Sequence, residues 1–357
     1  MNILFLTPYP KGSAPSQRFR FELFFEALRA KGWSYQVKSF WDEKTWHKLY
    51  EGGSNWIKTI GLIKGFGRRK WLMLNLKGYD IIFIHREAAP IGPPVFEWFI
   101  AQVLKKKIVY DFDDAIWLPN TSDHNSMAGR LKWHSKVGAI CRWSWKVSVG
   151  NEYLADYAGQ YCEHVAITPT VVNTSVHIST INSHLSTPNS QPVLGWTGSH
   201  STLKYLNSLL PMLQRLEQSL AFTFVVIADK DPLLSLKHYR FIKWSKDQEI
   251  DDLNELDIGL MPLEDDQWSK GKCGFKAIQY GAVGIPALVS PVGVNQVIVE
   301  HGVTGFHCST DKDWETAIST LIANQELRLK MGQAGRKRII KHYSVESEKE
   351  RFLALFD

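Results

Sequence analysis

Residues 270–306 read KGKCGFKAIQYGAVGIPALVSPVGVNQVIVEHGVTGF, with a glycine or proline at each change of direction. The pattern predicts helix, turn, strand, turn, helix, turn. Gly271 and Gly274 precede a helix starting near Phe275. A helix start leaves backbone N–H groups unpaired and carries partial positive charge, which suits a phosphate. Lys272 and Lys276 add two cations there, and Gln279, three residues past Lys276, shares nearly the same helical face. IPALVS is a short buried strand, and PVGVNQ is a turn opening the next helix. Cations, an amide and loose backbone would therefore meet at the mouth of a parallel sheet.

Upstream, the same alternation runs through PVLGWTG, FTFVVIA, RFIKW and DIGLMPL as strands, with Ser201–Gln218 as a helix between the first two. Downstream, Asp311–Asn324 and Glu326–Tyr343 read as helices. The first half alternates as well. NILFLT, YQVKSF, DIIFIH, KIVYDF, WKVSVG and HVAIT are strands separated by helical stretches. Such alternation predicts an α/β chain with two Rossmann-like, doubly wound parallel sheets. The Ser/Thr/Asn/Pro-rich stretch from Thr168 to Pro192 lacks apolar periodicity and marks the boundary. The expected organisation is 1–170, a linker at 171–191, a second domain at 192–343, and a last helix in 344–357.

Composition narrows the function classes. Four cysteines (Cys141, Cys162, Cys273, Cys308) show no zinc-ligand spacing and fit a reduced, cytoplasmic protein. The opening MNILFLTPYP is no signal peptide, and prolines and Gln279 break the most apolar window, Ala277–Val294. The net charge of +6 is uneven: residues 1–170 hold 23 Lys/Arg against 15 Asp/Glu, the remainder 19 against 21. Residues 52–79 carry six basic residues and no acid, with Trp56 and Trp71. Residues 124–151 carry five basic residues and no acid, with Trp133, Trp143 and Trp145. Basic residues interleaved with tryptophan suit an anionic membrane surface. The plainer account is two amphipathic helices with solvated basic faces. No nucleic-acid motif accompanies these windows.

Three strand ends in the first half carry candidate polar groups. KIVYDFDDAIW places Asp111, Asp113 and Asp114 at one of them, with Asp111 and Asp113 on one face by strand alternation. Carboxylates at the carboxyl end of a parallel strand lie where ligands bind, although capping or a salt bridge to Arg86 or Arg18 would equally explain them. His85, Arg86 and Glu87 follow DIIFI, and Gly12, Ser13 and Arg18 follow the first strand. Arg18 could grip a phosphate with its planar fork or pair with Glu22. In the second half, VLGWTGSHSTLKYL is a strand–turn–helix unit whose Gly198, Ser199 and Thr202 could hold a pyrophosphate. Simple N-capping by Ser199 is the alternative.

GIPALVS, VGVN and EHGVTGF resemble, in order and spacing, the donor site of family 4 glycosyltransferases with the GT-B fold. The glutamate-x7-glutamate pair of that family falls on Gly271 and Gln279, so the chain resembles a divergent branch without those carboxylates. The resemblance implies two domains facing a central cleft, with the last helix crossing back to the first domain. It implies a retaining transfer of sugar from a nucleotide-sugar to a glycan, lipid-linked or polysaccharide acceptor, in bacterial cell-surface glycan synthesis at the inner membrane face. No metal and no cofactor are implied. The implied donor set is Gly198, Ser199, Thr202, Trp244, Lys272, Lys276, Gln279, Val294 and Asn295, with Trp244 beside the base. Asp113, Asp114 and Lys276 would carry the reaction, and Gly12, Ser13, Arg18, Arg86 and Asp111 would hold acceptor or phosphate. The fold also admits an epimerase or hydrolase of nucleotide-sugars, or a non-catalytic binding protein.

Overall fold

The structure, a computed structural model, describes residues 1–50, 55–119, 133–177 and 191–357. The chain divides into two compact units, Met1–Thr170 with Glu348–Asp357, and Val171–Ser347. Each is built on a six-stranded sheet in which every named strand pair is parallel.

The first sheet has the order β2-β1-β3-β4-β5-β6. Its strands are β1 (Asn2–Thr7), β2 (Ser34–Ser39), β3 (Ile81–His85), β4 (Lys107–Phe112), β5 (Lys146–Val149) and β6 (Val165–Ile167). Every residue of β3 is buried, whereas the edge strand β2 alternates between exposed and half-buried. This is what a continuous apolar run and an alternating one predict for a covered centre and a one-sided edge. One face of the sheet carries an aromatic core. Phe5 packs on Phe21 and Phe83, and Phe24 stacks on Phe352 at 4.4 Å between ring centroids. Phe352 and Phe356 come from the end of the chain, the first in the helix Val345–Leu353 and the second just after it. Burying each such ring contributes about 1.5–3 kcal/mol.

The helix Asn55–Met73 packs on the first unit through an inward row that includes Gly61, Gly65 and Arg69. A Cβ on Gly61 would lie 2.2 Å from Thr45 Cγ2, and one on Gly65 2.4 Å from Phe40 Cε1, so glycine is required for this close approach. Arg69, fully buried, donates to the carbonyls of Thr7, Lys38 and Ala88. The positive residues of the 52–79 window are thus not equivalent. Arg69 is interior, and Arg68 donates to Phe40 O and Asp42. In the second window Lys136 is buried, paired with Glu87 and bonded to Ala89 O, while Arg130 and Lys132 lie outside the described residues.

The second sheet has the order β12-β11-β10-β7-β8-β9. Its strands are β7 (Val193–Gly198), β8 (Thr223–Ala228), β9 (Tyr239–Lys243), β10 (Ile258–Met261), β11 (Ala287–Val289) and β12 (Gly305–His307). The single helix expected over 201–218 is a 3-10 turn, His200–Thr202, followed by the helices Leu203–Asn207 and Leu210–Leu216. Pro211 explains the break, since it cannot donate within a helix but suits a first turn. Of the expected linker, 171–177 belongs to the second unit. Val171 and Val172 are fully buried, Val172 bonds with Tyr343 O and Val345 N, and Arg336 holds the carbonyls of Thr174 and His177. Residues 178–190 lie outside the described residues. Among the described residues, no helix is long and apolar enough to cross a membrane.

Candidate functional site

In the first unit the polar groups gather at the carboxyl ends of β1, β3 and β4, in two layers. The lower layer is interior. Asp111 accepts from His85 Nδ1 at 2.7 Å and Ser148 Oγ at 2.8 Å, and pairs with Arg20. Arg20 also donates to Thr168 O and to Ser148 Oγ. Burial alone would raise the Asp111 carboxyl, but the Arg20 charge and the His85 hydrogen bond outweigh it and hold the group well below the usual carboxylate range. Asp111 is only 2% exposed, so it is a structural anion inside the sheet rather than the acceptor or phosphate contact expected of it.

The upper layer is half-buried. Arg86 has a left-handed backbone (φ +59°), and its fork faces two carboxylates. Nη2 lies 2.7 Å from Asp113 Oδ1 and 2.5 Å from Asp114 Oδ2, and Nε donates to Asp113 at 2.9 Å. Burial opposes the Arg86 charge, yet Asp113 and Asp114 hold its pKa well above normal. Burial also lifts the Tyr9 phenol, with Arg86 opposing and Glu87 and Asp113 adding to the rise. The expected shared face of Asp111 and Asp113 is not formed. β4 ends at Phe112, so strand alternation does not extend to Asp113, and the two aspartates serve different layers. Gly12 adopts φ +76° and donates its N–H to both oxygens of Glu22. A carboxylate already fills that position, which disfavours a phosphate there. Arg18 lies over the Phe19 ring, and Ser13 N–H bonds to Pro10 O within the same loop.

In the second unit the two glycine turns come together. Ser199 and Thr202 form a reciprocal capping box at the end of β7. A Cβ on Gly198 would meet the Trp196 ring at 2.3 Å, so this glycine keeps the turn against the tryptophan. Lys276 Nζ sits 5.3 Å from the centre of the same Trp196 ring. Lys204 and Lys272 both approach the Tyr205 ring, at 4.7 and 5.8 Å, and Lys272 also lies 6.0 Å from Trp268. Lys204 and Lys272, from two separate motifs, thus share the Tyr205 ring, and Lys276 lies at the Trp196 ring of β7. Lys204 is named by its motif but absent from the expected donor set; Tyr205 and Trp268 were not anticipated as its companions.

The helix Phe275–Val283 is aimed by two left-handed glycines. Gly274 (φ +65°) precedes it, and a Cβ there would lie 2.1 Å from Ile298 Cδ1. Gly293 (φ +55°) brings its turn against Lys270, whose carbonyl oxygen would be 2.8 Å from a Cβ. Tyr280 on this helix donates to Leu260 O and accepts from Thr197 N–H, which ties the helix to β10 and β7. Two expected donor contacts are turned inward. Asn295 is 1% exposed and donates to Ser290 O, so it braces its own loop together with Val294, whose side chain faces the Gly274 turn. Gln279 is buried and donates to Glu249 Oε1 at 3.2 Å. Its amide is therefore already engaged by a carboxylate from the helix Glu249–Asn254. Trp244 is half-buried just past β9, where its backbone N–H bonds to Ala228 O. Among the described residues no cluster of three or more His, Cys, Asp or Glu could hold a metal ion.

Residues 185–338 match the family described as Glycosyl transferases group 1. No curated protein sequence matches the chain significantly. Solved structures share the fold over nearly the whole chain. Sucrose-phosphate synthase from Thermosynechococcus elongatus superposes with a TM-score of 0.71 at 13% identity, covering 99% of this chain and 98% of its own. A glycosyltransferase from Rickettsia africae gives 0.69 at 14%, covering 99% and 97%. HepE from Anabaena, in complex with UDP-glucose, gives 0.69 at 15%, covering 99% and 98%. At these identities the likeness establishes the fold, and together with the group 1 match over the second unit it supports a glycosyltransferase of the GT-B type.

Proposed function

We propose that this glycosyltransferase, a divergent relative of family 4, moves a sugar from a nucleotide-sugar to a glycan or lipid-linked acceptor with retained anomeric configuration. The observation that carries the reading is that Lys204 and Lys272, from separate motifs, meet at Tyr205, while Lys276, in the first turn of the helix Phe275–Val283, lies at the Trp196 ring of β7. A departing nucleoside diphosphate gains negative charge, and preplaced cations beside a helix start stabilise it without rearrangement. Protein cations supply the charge in this scheme, so the transfer is proposed to be metal-independent. The acceptor is assigned to the first unit, with Asp113, Asp114 and Arg86 at its polar edge. A cytoplasmic enzyme of cell-surface glycan synthesis, working at the inner membrane face, fits the basic balance of residues 1–170.

Calorimetry with UDP and UDP-glucose, followed by acceptor screening, tests the proposal. Tight binding with sugar transfer to an added glycan supports it. Donor turnover with no acceptor present points instead to an epimerase or hydrolase. Lys276→Ala is expected to weaken nucleoside-diphosphate binding by about 1.5–3 kcal/mol, the range of a hydrogen bond to a charged group, while leaving thermal unfolding unchanged. Unaltered affinity in this protein would transfer the diphosphate role to Lys272.

A further inference from the structure

The helix Asn55–Met73 is apolar on two sides. Leu62 and Phe66 pack inward beside the glycine row and Leu72 and Met73 are buried, while a second set of large apolar side chains faces solvent. Trp56, Ile63, Trp71 and Leu74, at the turn that ends the helix, are between 65% and 77% exposed. Spacings of seven, eight and three residues along these four place them on one stripe, with Gly67 between. Lys64 and Lys70, both exposed, adjoin the stripe. The neighbouring helical stretch continues the apolar character. Phe96 packs toward Phe66, and Val95, Trp98 and Val103 are exposed. Its one acid, Glu97, is turned inward to accept from Ala88 N–H.

A soluble helix would place these side chains in the core and leave small residues outside. We infer that this face of the first unit docks in the plane of an anionic lipid bilayer, with the stripe lying at the headgroup boundary. Charge and shape favour lipid over other occupants. Residues 52–79 carry no acid, and the charged side chains that adjoin the stripe are Lys64 and Lys70. Two tryptophans fifteen residues apart stand about 22 Å from each other along the helix, and indole rings favour the membrane interface. A two-fold contact with a second copy through this stripe would gather Lys64 and Lys70 of both copies in one interface with no acid from residues 52–79 to offset them. The inference gives the acceptor reading above a physical location, yet it is measured without any sugar donor, so either can fail alone.

The choice of variants follows from the structure. Arg68 and Arg69 are unsuitable, because they hold backbone carbonyls and their loss would disturb the fold. Ile63→Gln with Leu74→Gln removes apolar stripe, and Lys64→Gln with Lys70→Gln removes charge. Flotation uses vesicles of phosphatidylcholine with and without phosphatidylglycerol. The unaltered protein should float with the anionic vesicles, and salt should reduce the bound fraction. The apolar variant should lose most binding to both vesicle types while keeping its unfolding temperature. The lysine variant should lose the preference for phosphatidylglycerol. An apolar variant that floats like the unaltered protein overturns the inference. So does an unaltered protein that ignores vesicles but sediments as a dimer dissociated by Ile63→Gln and Leu74→Gln.

Discussion

Arg20→Met is expected to destabilise the first unit by about 3–5 kcal/mol, the usual cost of leaving one member of a buried ion pair alone. Arg20 is 1% exposed and neutralises Asp111 beneath the sheet edge, with His85 and Ser148 completing the anion's hydrogen bonds. Methionine fills much of the volume but carries no charge. The sign with pH follows from Asp111. In the native protein its carboxyl is held below the usual range, so it contributes stability that is present above about pH 4 and lost as pH falls further. Without Arg20, burial dominates and pushes the carboxyl upward, so the penalty is greatest at neutral pH and shrinks in acid. Guanidinium unfolding at about pH 7 and about pH 5 should therefore show a narrowing gap between variant and native protein. A gap of equal size at both would assign the loss to packing. Adding Asp111→Asn to Arg20→Met should recover part of the stability, because the unpaired charge is then absent.

Asp113→Asn is expected to leave nucleoside-diphosphate binding intact and to lower transfer by about 100-fold or more, the cost of misplacing a reacting group by about an ångström. The two halves of the expectation rest on different units. The lysine cluster that would hold the diphosphate lies in the second, whereas Asp113 lies at the open edge of the first. Asparagine keeps the shape of the side chain, and Arg86 keeps its 2.5 Å contact with Asp114, so the local fold has a second anchor. Loss of rate at constant donor affinity marks an interaction used in the reaction itself. Single-turnover transfer beside calorimetry reads both quantities. Native rates in both Asp113→Asn and Asp114→Asn would make the pair a structural clamp on Arg86.

Strands of continuous apolar residues were legible because little else suits them; IIFI and ALV lie in the fully buried strands β3 and β11. The donor helix was legible because two glycines bracket it and both adopt positive φ, Gly274 before and Gly284 after. Pairings across long sequence gaps were not legible. Gln279 meets Glu249, thirty positions upstream, and nothing in the local pattern of either residue announces the other. Gly12 meets Glu22 although Glu22 has the helical spacing to pair with Arg18. Alternation on β4 misled because it holds only while the strand lasts, and the strand stops one residue before Asp113. Cation placement was partly legible. Lys272 and Lys276 stand in one motif, but the rings they approach, Tyr205 for the first and Trp196 for the second, lie about seventy to eighty positions upstream and meet them only in the folded unit.

The first unit takes its last ten residues, Glu348–Asp357, from the far end of the chain, after the whole of the second unit. Synthesis runs from the amino end, so the unit that emerges first is the last to be complete. Until Phe352 arrives, Phe24 lacks its stacking partner and the aromatic core is open on one side. The second unit, one continuous segment, has all its parts while the first still waits. The first unit can therefore close only after the whole of the second has been made, an inversion of the amino-to-carboxyl order in which consecutive domains usually fold.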